Sequence, residues 1–247
     1  MGEMDSHSTL LICVRRVFCL ERGESVKFDV TYFLESFPQL FKYVYITLGI
    51  TVVSMIISFF IGIGLAIITK NKTKFLYPIA RVYISFFRGT PLLVQLFVLY
   101  FGLPQISPTF TVLTAMQATL IGLSLNNAAY LSEIIRGSLN AVESGQMDAC
   151  LSVGMTKVQA MRQIIFPQAI RVAVPSLGNN FVGLLKESSL SFALGVAEIL
   201  AQAKMLAAQS YRYMESYLAV AIVYWIITIV ISWGQKRLEK KLDAPYL

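Results

Sequence analysis

Long runs without a charged residue alternate along this chain with short polar segments. No Asp, Glu, Lys or Arg occurs from Tyr43 to Thr69, from Gly89 to Ser132 or from Ser216 to Gln235. A membrane-spanning helix needs about 20 consecutive apolar residues, so the second run is long enough for two such helices. The chain is apolar again from Pro167 to Leu185. The pattern therefore predicts an all-α membrane protein with about five transmembrane helices.

The ends of the apolar runs give approximate boundaries for each element. The aromatic, amphipathic segment Phe28–Tyr43 predicts an N-terminal interfacial helix. The expected spans are about Val44–Ile68, Pro91–Pro104, Leu113–Ile135, Pro167–Leu185 and Tyr217–Trp233. We interpret Lys70–Arg88 as a cytoplasmic loop and expect another loop around Lys204 and Arg212. The predicted organisation is a leader or tail at 1–27, one transmembrane domain at 28–242 with a polar loop at 137–167, and a tail at 243–247.

Composition supports the membrane prediction and gives it an orientation. Of the 247 residues 56% are hydrophobic and 14% are charged, whereas soluble domains average about 25% charged residues. The net charge of +7 comes from Lys and Arg at the ends of apolar runs, which indicates topology rather than nucleic-acid binding. With Arg15, Arg16 and Arg22 left out, thirteen of these basic residues fall on the same side of the membrane as the 137–167 loop. Four fall on the other side, namely Lys27, Lys42, Lys204 and Arg212. This predicts an N-terminus outside and a C-terminus in the cytoplasm. Three cysteines and one histidine leave no basis for a metal site.

The polar loop carries a spaced set of small, apolar and helix-breaking residues. Asp148 is followed by the small residues Ala149 and Cys150, which permit another surface to approach closely. Gly154 can end that helix with a left-handed cap. A second short helix is then expected up to Ile164 and Phe166, and Pro167 is tolerated in the first turn of the next span. The loop is predicted to form a rigid elbow that projects from the membrane.

This set resembles the signature of importer permeases of the ATP-binding-cassette (ABC) class. The departures are Asp148 where glutamate is usual, Cys150 where alanine is usual and Phe166 where leucine is usual. Three further segments look like those of polar amino acid permeases, namely Phe87–Gln95, Ala129–Gly137 and Leu185–Leu190. The resemblance covers about Phe28 to Leu242.

The resemblance implies a transporter that is built from several subunits. The elbow residues that would couple to an ATPase subunit are Asp148, Ala149, Cys150, Gly154, Ile164 and Pro167. It also implies a second permease copy, which is identical or a sister chain, and an extracellular or periplasmic amino acid binding protein. The chain would lie in the bacterial plasma membrane, in contact with membrane lipid. ATP and Mg would be bound by the ATPase, because this chain has no GxxxxGK[ST] loop. We therefore expect no cofactor, no catalytic residue and no nucleic acid partner for this chain.

Polar residues within spans are costly and usually functional, so they are candidates for the substrate pathway. Residues seven apart share a helix face, which predicts a polar stripe on the fourth span. The pathway candidates are Asn179, Asn180, Lys186, Glu187 and Ser188, with Thr90 and Gln95 on the second span. Lys186 and Glu187 could instead mark the outer end of the span and pair with each other. A second stripe is expected to form hydrogen bonds between helices and comprises Asn126, Tyr130 and Glu133.

The substrate is predicted to be a polar amino acid. The segment Glu198–Tyr217 looks most like cystine-type permeases, which predicts L-cystine or a related compound as the substrate. The alternative is an ion-coupled secondary amino acid transporter, which would explain the polar spans but leaves the elbow unexplained. A membrane-embedded enzyme would need a catalytic motif such as HExxH, and the chain has none.

Overall fold

The computed structural model describes residues 27–107, 112–143 and 145–243, and most of these residues are helical. The predicted leader lies outside the described residues except for Lys27, and the predicted tail does so except for Asp243. The α-helices, in chain order, are α1 (Val30–Phe41), α2 (Val44–Asn71), α3 (Leu76–Gly89), α4 (Leu92–Phe97), α5 (Leu103–Ile106), α6 (Ala115–Asn140), α7 (Gly145–Ser152), α8 (Lys157–Ala160), α9 (Phe166–Glu187), α10 (Ile199–Ser210) and α11 (Tyr213–Asp243). The all-α fold class is confirmed.

The first helix, α1, begins at an acidic cap and packs on the C-terminal helices. The Asp29 Oδ1 atom accepts a hydrogen bond of 3.0 Å from the backbone N–H of Tyr32, which satisfies a donor at the helix start. The Asp29 carboxylate also forms an ion pair with Arg212, just before α11. The helix α1 therefore contacts the start of α11, in addition to its connection along the chain to α2.

Small residues bring α2 and α6 close together. Ser54, Ser58 and Gly62 recur at four-residue intervals on the buried face of α2. The Ser58 hydroxyl accepts a hydrogen bond of 2.7 Å from the Asn127 side chain. An added Cβ at Gly62 would lie 2.9 Å from the Cβ of Leu131. Such close approach is the usual way in which helices associate within a membrane.

The interpretation of Lys70–Arg88 as a loop was wrong, because most of it forms α3. This helix meets the α4–α5 segment at a bend of 109°, and a π turn at Val98–Gly102 joins α4 to α5. Its basic residues misled the prediction, since they occupy one face while apolar side chains such as Ile79 and Val82 occupy another. Polar residues confined to one helix face are compatible with a helix.

The short helix expected up to Phe166 is not separate from the next span, whereas Pro167 lies in the first turn of α9, as predicted. A π turn at Met161–Ile165 joins α8 to α9, so the helix continues through the proline. Pro167 lies at the start of α9, next to the π turn. Beyond α9 a 3₁₀ turn leads to α10, and Lys204 lies in this helix rather than in the expected loop.

Two helices, Val44–Asn71 and Tyr213–Lys241, are long and apolar enough to cross a membrane. The α3 to α5 pair and the pair formed by Lys157–Leu194 and Ile199–Ser210 each pass the same test as bent units, which gives up to four crossings. By this measure α6 does not qualify. The predicted count of five is therefore not confirmed within the described residues, although the predicted apolar segments are helical.

Candidate coupling elbow and polar pathway

The predicted elbow begins with a helix that ends at Gly154. The backbone of Gly154 has φ +85°, the left-handed conformation that glycine adopts at little cost. Its N–H donates to the Leu151 carbonyl at 3.0 Å, and the N–H of Met155 donates to the Cys150 carbonyl at 3.0 Å. These two bonds are those of a Schellman motif, which satisfies the last carbonyls of a helix. The left-handed cap expected at Gly154 is confirmed.

The second helix of the elbow begins shortly after Gly154 with its own cap. The Thr156 hydroxyl accepts a hydrogen bond of 3.3 Å from the Gln159 N–H. The Gln159 side chain in turn accepts one of 2.8 Å from the Thr156 N–H. This reciprocal arrangement is a capping box. Both helix ends are therefore fixed by local hydrogen bonds, and few residues between them remain free to adjust.

The outer side of the elbow exposes apolar side chains in an otherwise polar segment. Val153 is 77% exposed and Val158 is 75% exposed. A shallow groove of about 360 Å³ adjoins Val158 and is lined by Lys157, Val158, Met161, Arg162 and Phe166. Of the predicted coupling residues, Asp148, Ala149 and Gly154 are exposed, Ile164 and Pro167 are half-buried, and Cys150 is buried. The elbow thus presents a contact surface, and Cys150 supports it from within.

The predicted stripe on α9 is present but unequal in burial. Asn179 and Lys186 are exposed, whereas Asn180 and Glu187 are half-buried. The Asn180 Oδ1 atom is buried and has no hydrogen-bond partner among the described residues. Ser188 is buried and its hydroxyl donates to the Leu185 carbonyl at 2.7 Å. Asn180 and Glu187 thus share the inner part of the stripe.

Thr90 and Gln95 instead hold the bend between α3 and α4. The Gln95 side-chain nitrogen donates to the Phe87 carbonyl at 3.1 Å and to the Thr90 carbonyl and hydroxyl at 3.1 Å and 2.8 Å. From α6, the Asn126 amide donates to the Gln95 Oε1 atom and to the Phe87 carbonyl, both at 2.9 Å. Because Gln95 is buried and fully engaged, its geometry is that of a structural link. Its predicted role in the pathway stays a prediction.

The second predicted stripe divides between two roles. Asn126 forms the hydrogen bonds between helices that were expected of it. Glu133 forms ion pairs with Arg136 in its own helix and with Arg88 in α3, the latter at 3.8 Å. The Arg88 guanidinium also lies 5.6 Å from the centre of the Tyr130 ring. All three members therefore connect α6 to the α3–α4 bend.

Gln235 is a further linking residue that the sequence does not single out. Its side-chain nitrogen donates to the Pro175 carbonyl of α9 at 3.2 Å and to Glu239 at 2.8 Å. The Cα of Gly178 lies directly beneath this amide. Because the link joins residues 60 apart in the sequence, only Pro175 and Gly178 within α9 hint at it.

Comparison with known proteins identifies the family. Residues 58–244 match the model of the family described as binding-protein-dependent transport system inner membrane component. The probable amino-acid permease protein YxeN of Bacillus subtilis is 54% identical over 218 residues, which is 88% of this chain and 97% of that protein. The L-cystine transport system permease protein TcyL of the same species is 34% identical over 219 residues, or 87% and 92% of the two chains.

A solved structure agrees with these relatives. A crystal structure of an amino acid ABC transporter with histidines matches with a TM-score of 0.81 and 35% identity, covering 87% of this chain and all of that chain. These similarities to ABC transporter permeases exclude the alternative of an ion-coupled secondary transporter. In this family the permease is not the enzyme, and a separate ATPase hydrolyses ATP. The chain belongs to the binding-protein-dependent transport family of inner membrane components and is a permease subunit of an amino acid ABC transporter.

Proposed function

We propose that the chain couples to its ATPase through the elbow at 148–167 and forms half of a pathway for a polar amino acid. The observation that carries the coupling role is the fixed geometry at Gly154, between a Schellman motif and a capping box. A segment that relays force has to be stiff, and here local hydrogen bonds fix both helix ends. The exposed Val153 and Val158 provide the apolar contact that a docking surface needs.

The ATPase would bind to the exposed side of the elbow, with Asp148 and Ala149 at its centre. Small side chains there allow the partner to approach the helix backbone. The groove beside Val158 carries the cations Lys157 and Arg162, which favours an acidic rim on the ATPase. ATP and Mg would remain with that partner. The other partners we propose are a second permease, identical or a sister chain, and an extracellular amino acid binding protein.

Replacing Gly154 with Ala tests the elbow. Alanine in the left-handed region costs about 1 kcal/mol or more, although nothing lies within 4 Å of the position. We expect Gly154→Ala to lower substrate-stimulated ATP hydrolysis and uptake by the complete transporter reconstituted in liposomes. Gly145→Ala is the matched control, because Gly145 lies in the same loop, also has open space around it and has no positive φ. Normal coupling in Gly154→Ala would remove the elbow from the mechanism.

The substrate would pass along the inner part of the α9 stripe, where Asn180 and Glu187 are the principal groups. The buried, unpartnered Asn180 Oδ1 can accept a hydrogen bond from an ammonium group. Glu187 offers a carboxylate to the same group, and Lys186 offers a cation to a carboxylate. We expect Glu187→Gln to reduce uptake while the assembly with the ATPase survives. Glu35→Gln, at an exposed position of α1, is the control, and equal uptake by both variants would exclude Glu187.

We propose L-cystine or a related polar amino acid as the cargo. Support comes from the cystine-type appearance of 198–217 and from the 34% identity to TcyL. The transporter with histidines is equally similar at 35%, so uptake assays with both amino acids are needed. In these assays labelled cystine and labelled histidine are supplied together with the cognate binding protein. Uptake of histidine but not cystine would overturn the cystine assignment without affecting the coupling proposal.

The proposed orientation has the N-terminus outside and the C-terminus in the cytoplasm. The uneven distribution of Lys and Arg supports it. A reporter active only outside the cytoplasm, fused after Asp243, should then be inactive. The same reporter fused before Asp29 should be active, and the reverse result would invert the topology.

A further inference from the structure

A cavity at one end of α2, α3 and α6 is basic and is not part of the elbow or the α9 stripe. It has a volume of about 520 Å³ and lies between the end of α2, the length of α3 and the last turns of α6. Its charged lining consists of five cations and one carboxylate, namely Lys70, Lys72, Arg81, Arg88, Arg136 and Glu133. The cavity is therefore strongly positive.

The single carboxylate is already engaged. Glu133 accepts a hydrogen bond of 3.2 Å from the Arg136 Nε atom and lies 3.8 Å from the Arg88 guanidinium. Lys70, Lys72 and Arg81 form no salt bridge within 4.0 Å to any carboxylate in the described part of the chain. Like charges around one cavity repel each other, so an anion bound between them would be stabilised.

The wall that α3 contributes has two distinct faces. Arg81, Ser85 and Arg88 line the cavity. On another side Ile79 is 65% exposed and Val82 is 69% exposed, which suits contact with acyl chains. A molecule that carries a phosphate next to acyl chains could place the phosphate in the cavity and its chains along the apolar side of α3. Basic pockets between transmembrane helices bind lipid headgroups in this way.

We propose that this cavity binds a phosphate-bearing anion, and that the source of the phosphate is the headgroup of an anionic phospholipid. Lys72 and Arg81 would contact the phosphate, while the Arg88–Glu133–Arg136 group forms the fixed floor of the site. The lipid would bridge the end of α2 to α3. The residues that line the site include none of the elbow and none of the α9 stripe.

Lipid binding to the complete transporter tests the proposal. The transporter, purified with its ATPase, is titrated with short-chain phosphatidylglycerol, with phosphatidylcholine of the same chain length and with inorganic phosphate, and bound molecules are counted by native mass spectrometry. We expect phosphatidylglycerol to bind at least tenfold more tightly than phosphatidylcholine. The Lys72→Gln/Arg81→Gln variant should lose roughly 30-fold in affinity, as expected for two basic residues near a membrane surface.

Matched variants separate the outcomes. Lys236→Gln/Lys240→Gln removes the same charge from exposed positions of α11 outside the cavity and should leave binding unchanged. Equal losses in both double variants, or equal affinity for the two lipids, would overturn the proposal. Inorganic phosphate that displaces phosphatidylglycerol at millimolar concentration would keep the anion site but exclude the lipid as its source. Lys70→Gln, at an exposed helix end, serves as a milder variant if the double variant assembles poorly.

Discussion

The side-chain amide of Gln235 in α11 lies directly on the Cα of Gly178 in α9, where a β-carbon would overlap it. The contact lets Gln235 donate its hydrogen bond to the Pro175 carbonyl. At this contact the C-terminal helix α11 packs against α9, the helix that leads from the elbow.

Replacing Gly178 with Ala should break this contact. The flexible Gln235 side chain would move aside and lose its bond to Pro175, at a cost of about 1 kcal/mol. We expect a lower melting temperature for the purified transporter. In the Gln235→Ala background the same change should cost little, and the two effects should not add. Gly183→Ala is the control, since nothing lies within 4 Å of that position, and an equal loss there would contradict this prediction.

Gly62 should tolerate substitution worse than Gly64, its neighbour on the same helix. A Cβ at Gly62 would lie 2.9 Å from the Leu131 Cβ and 3.3 Å from the Ala128 carbonyl oxygen, whereas Gly64 has open space. Separating α2 from α6 should cost about 1–3 kcal/mol. Thermal unfolding of the two alanine variants measures this difference. Equal stability of Gly62→Ala and Gly64→Ala would show that the helices adjust freely.

Gln95→Leu should destabilise the bend between α3 and α4. The leucine cannot donate to Phe87 or Thr90 and cannot accept from Asn126, so the buried Asn126 amide would keep only its bond to Phe87, at a cost of about 1–3 kcal/mol. Gln105→Leu, at an exposed position of α5, is the control. A Gln95→Leu transporter that melts normally but transports poorly would instead assign Gln95 to the pathway.

The Asp29–Arg212 ion pair gives the attachment of α1 a dependence on pH. The hydrogen bond from the Tyr32 N–H and the nearby Arg212 charge lower the pKa of Asp29 from its ordinary value of 3.8. A carboxylate with a lowered pKa stabilises the fold above its ordinary pKa, and this contribution is lost as the pH falls through the folded-state value. The difference in melting temperature between the wild-type transporter and Asp29→Asn should be constant from pH 7 to 5 and should shrink below about pH 4. A difference that grows on acidification would contradict this sign.

The structure was predicted best from the sequence at those segments where a single physical rule determines the conformation. The charge-free runs located α2 and α11 because water-free surroundings exclude charge along a whole helix. Gly154 was interpreted correctly because its cap depends on local backbone geometry. The same focus on charge failed for α3 and α10, where Arg81 and Lys204 suggested loops although each lies in a helix.

Contacts between distant residues were beyond prediction from one sequence. The bond between Gln95 and Asn126 depends on the 109° bend that brings α6 beside α4. The link from Gln235 to Pro175 depends on how α11 packs on α9. A polar residue within a span could therefore be recognised as unusual, but the sequence could not distinguish a substrate contact from a structural hydrogen bond.

The helix continues from Lys157 through the π turn to Glu187, and at 1.5 Å per residue this stretch is about 45 Å long. That length exceeds the roughly 30 Å thickness of the hydrocarbon core. On the proposed coupling, a movement of the elbow would reach Glu187 through one continuous helical stretch. The ATPase contact and the proposed substrate groups would then be joined without an intervening loop, although they lie at opposite ends of a stretch longer than the hydrocarbon core is thick.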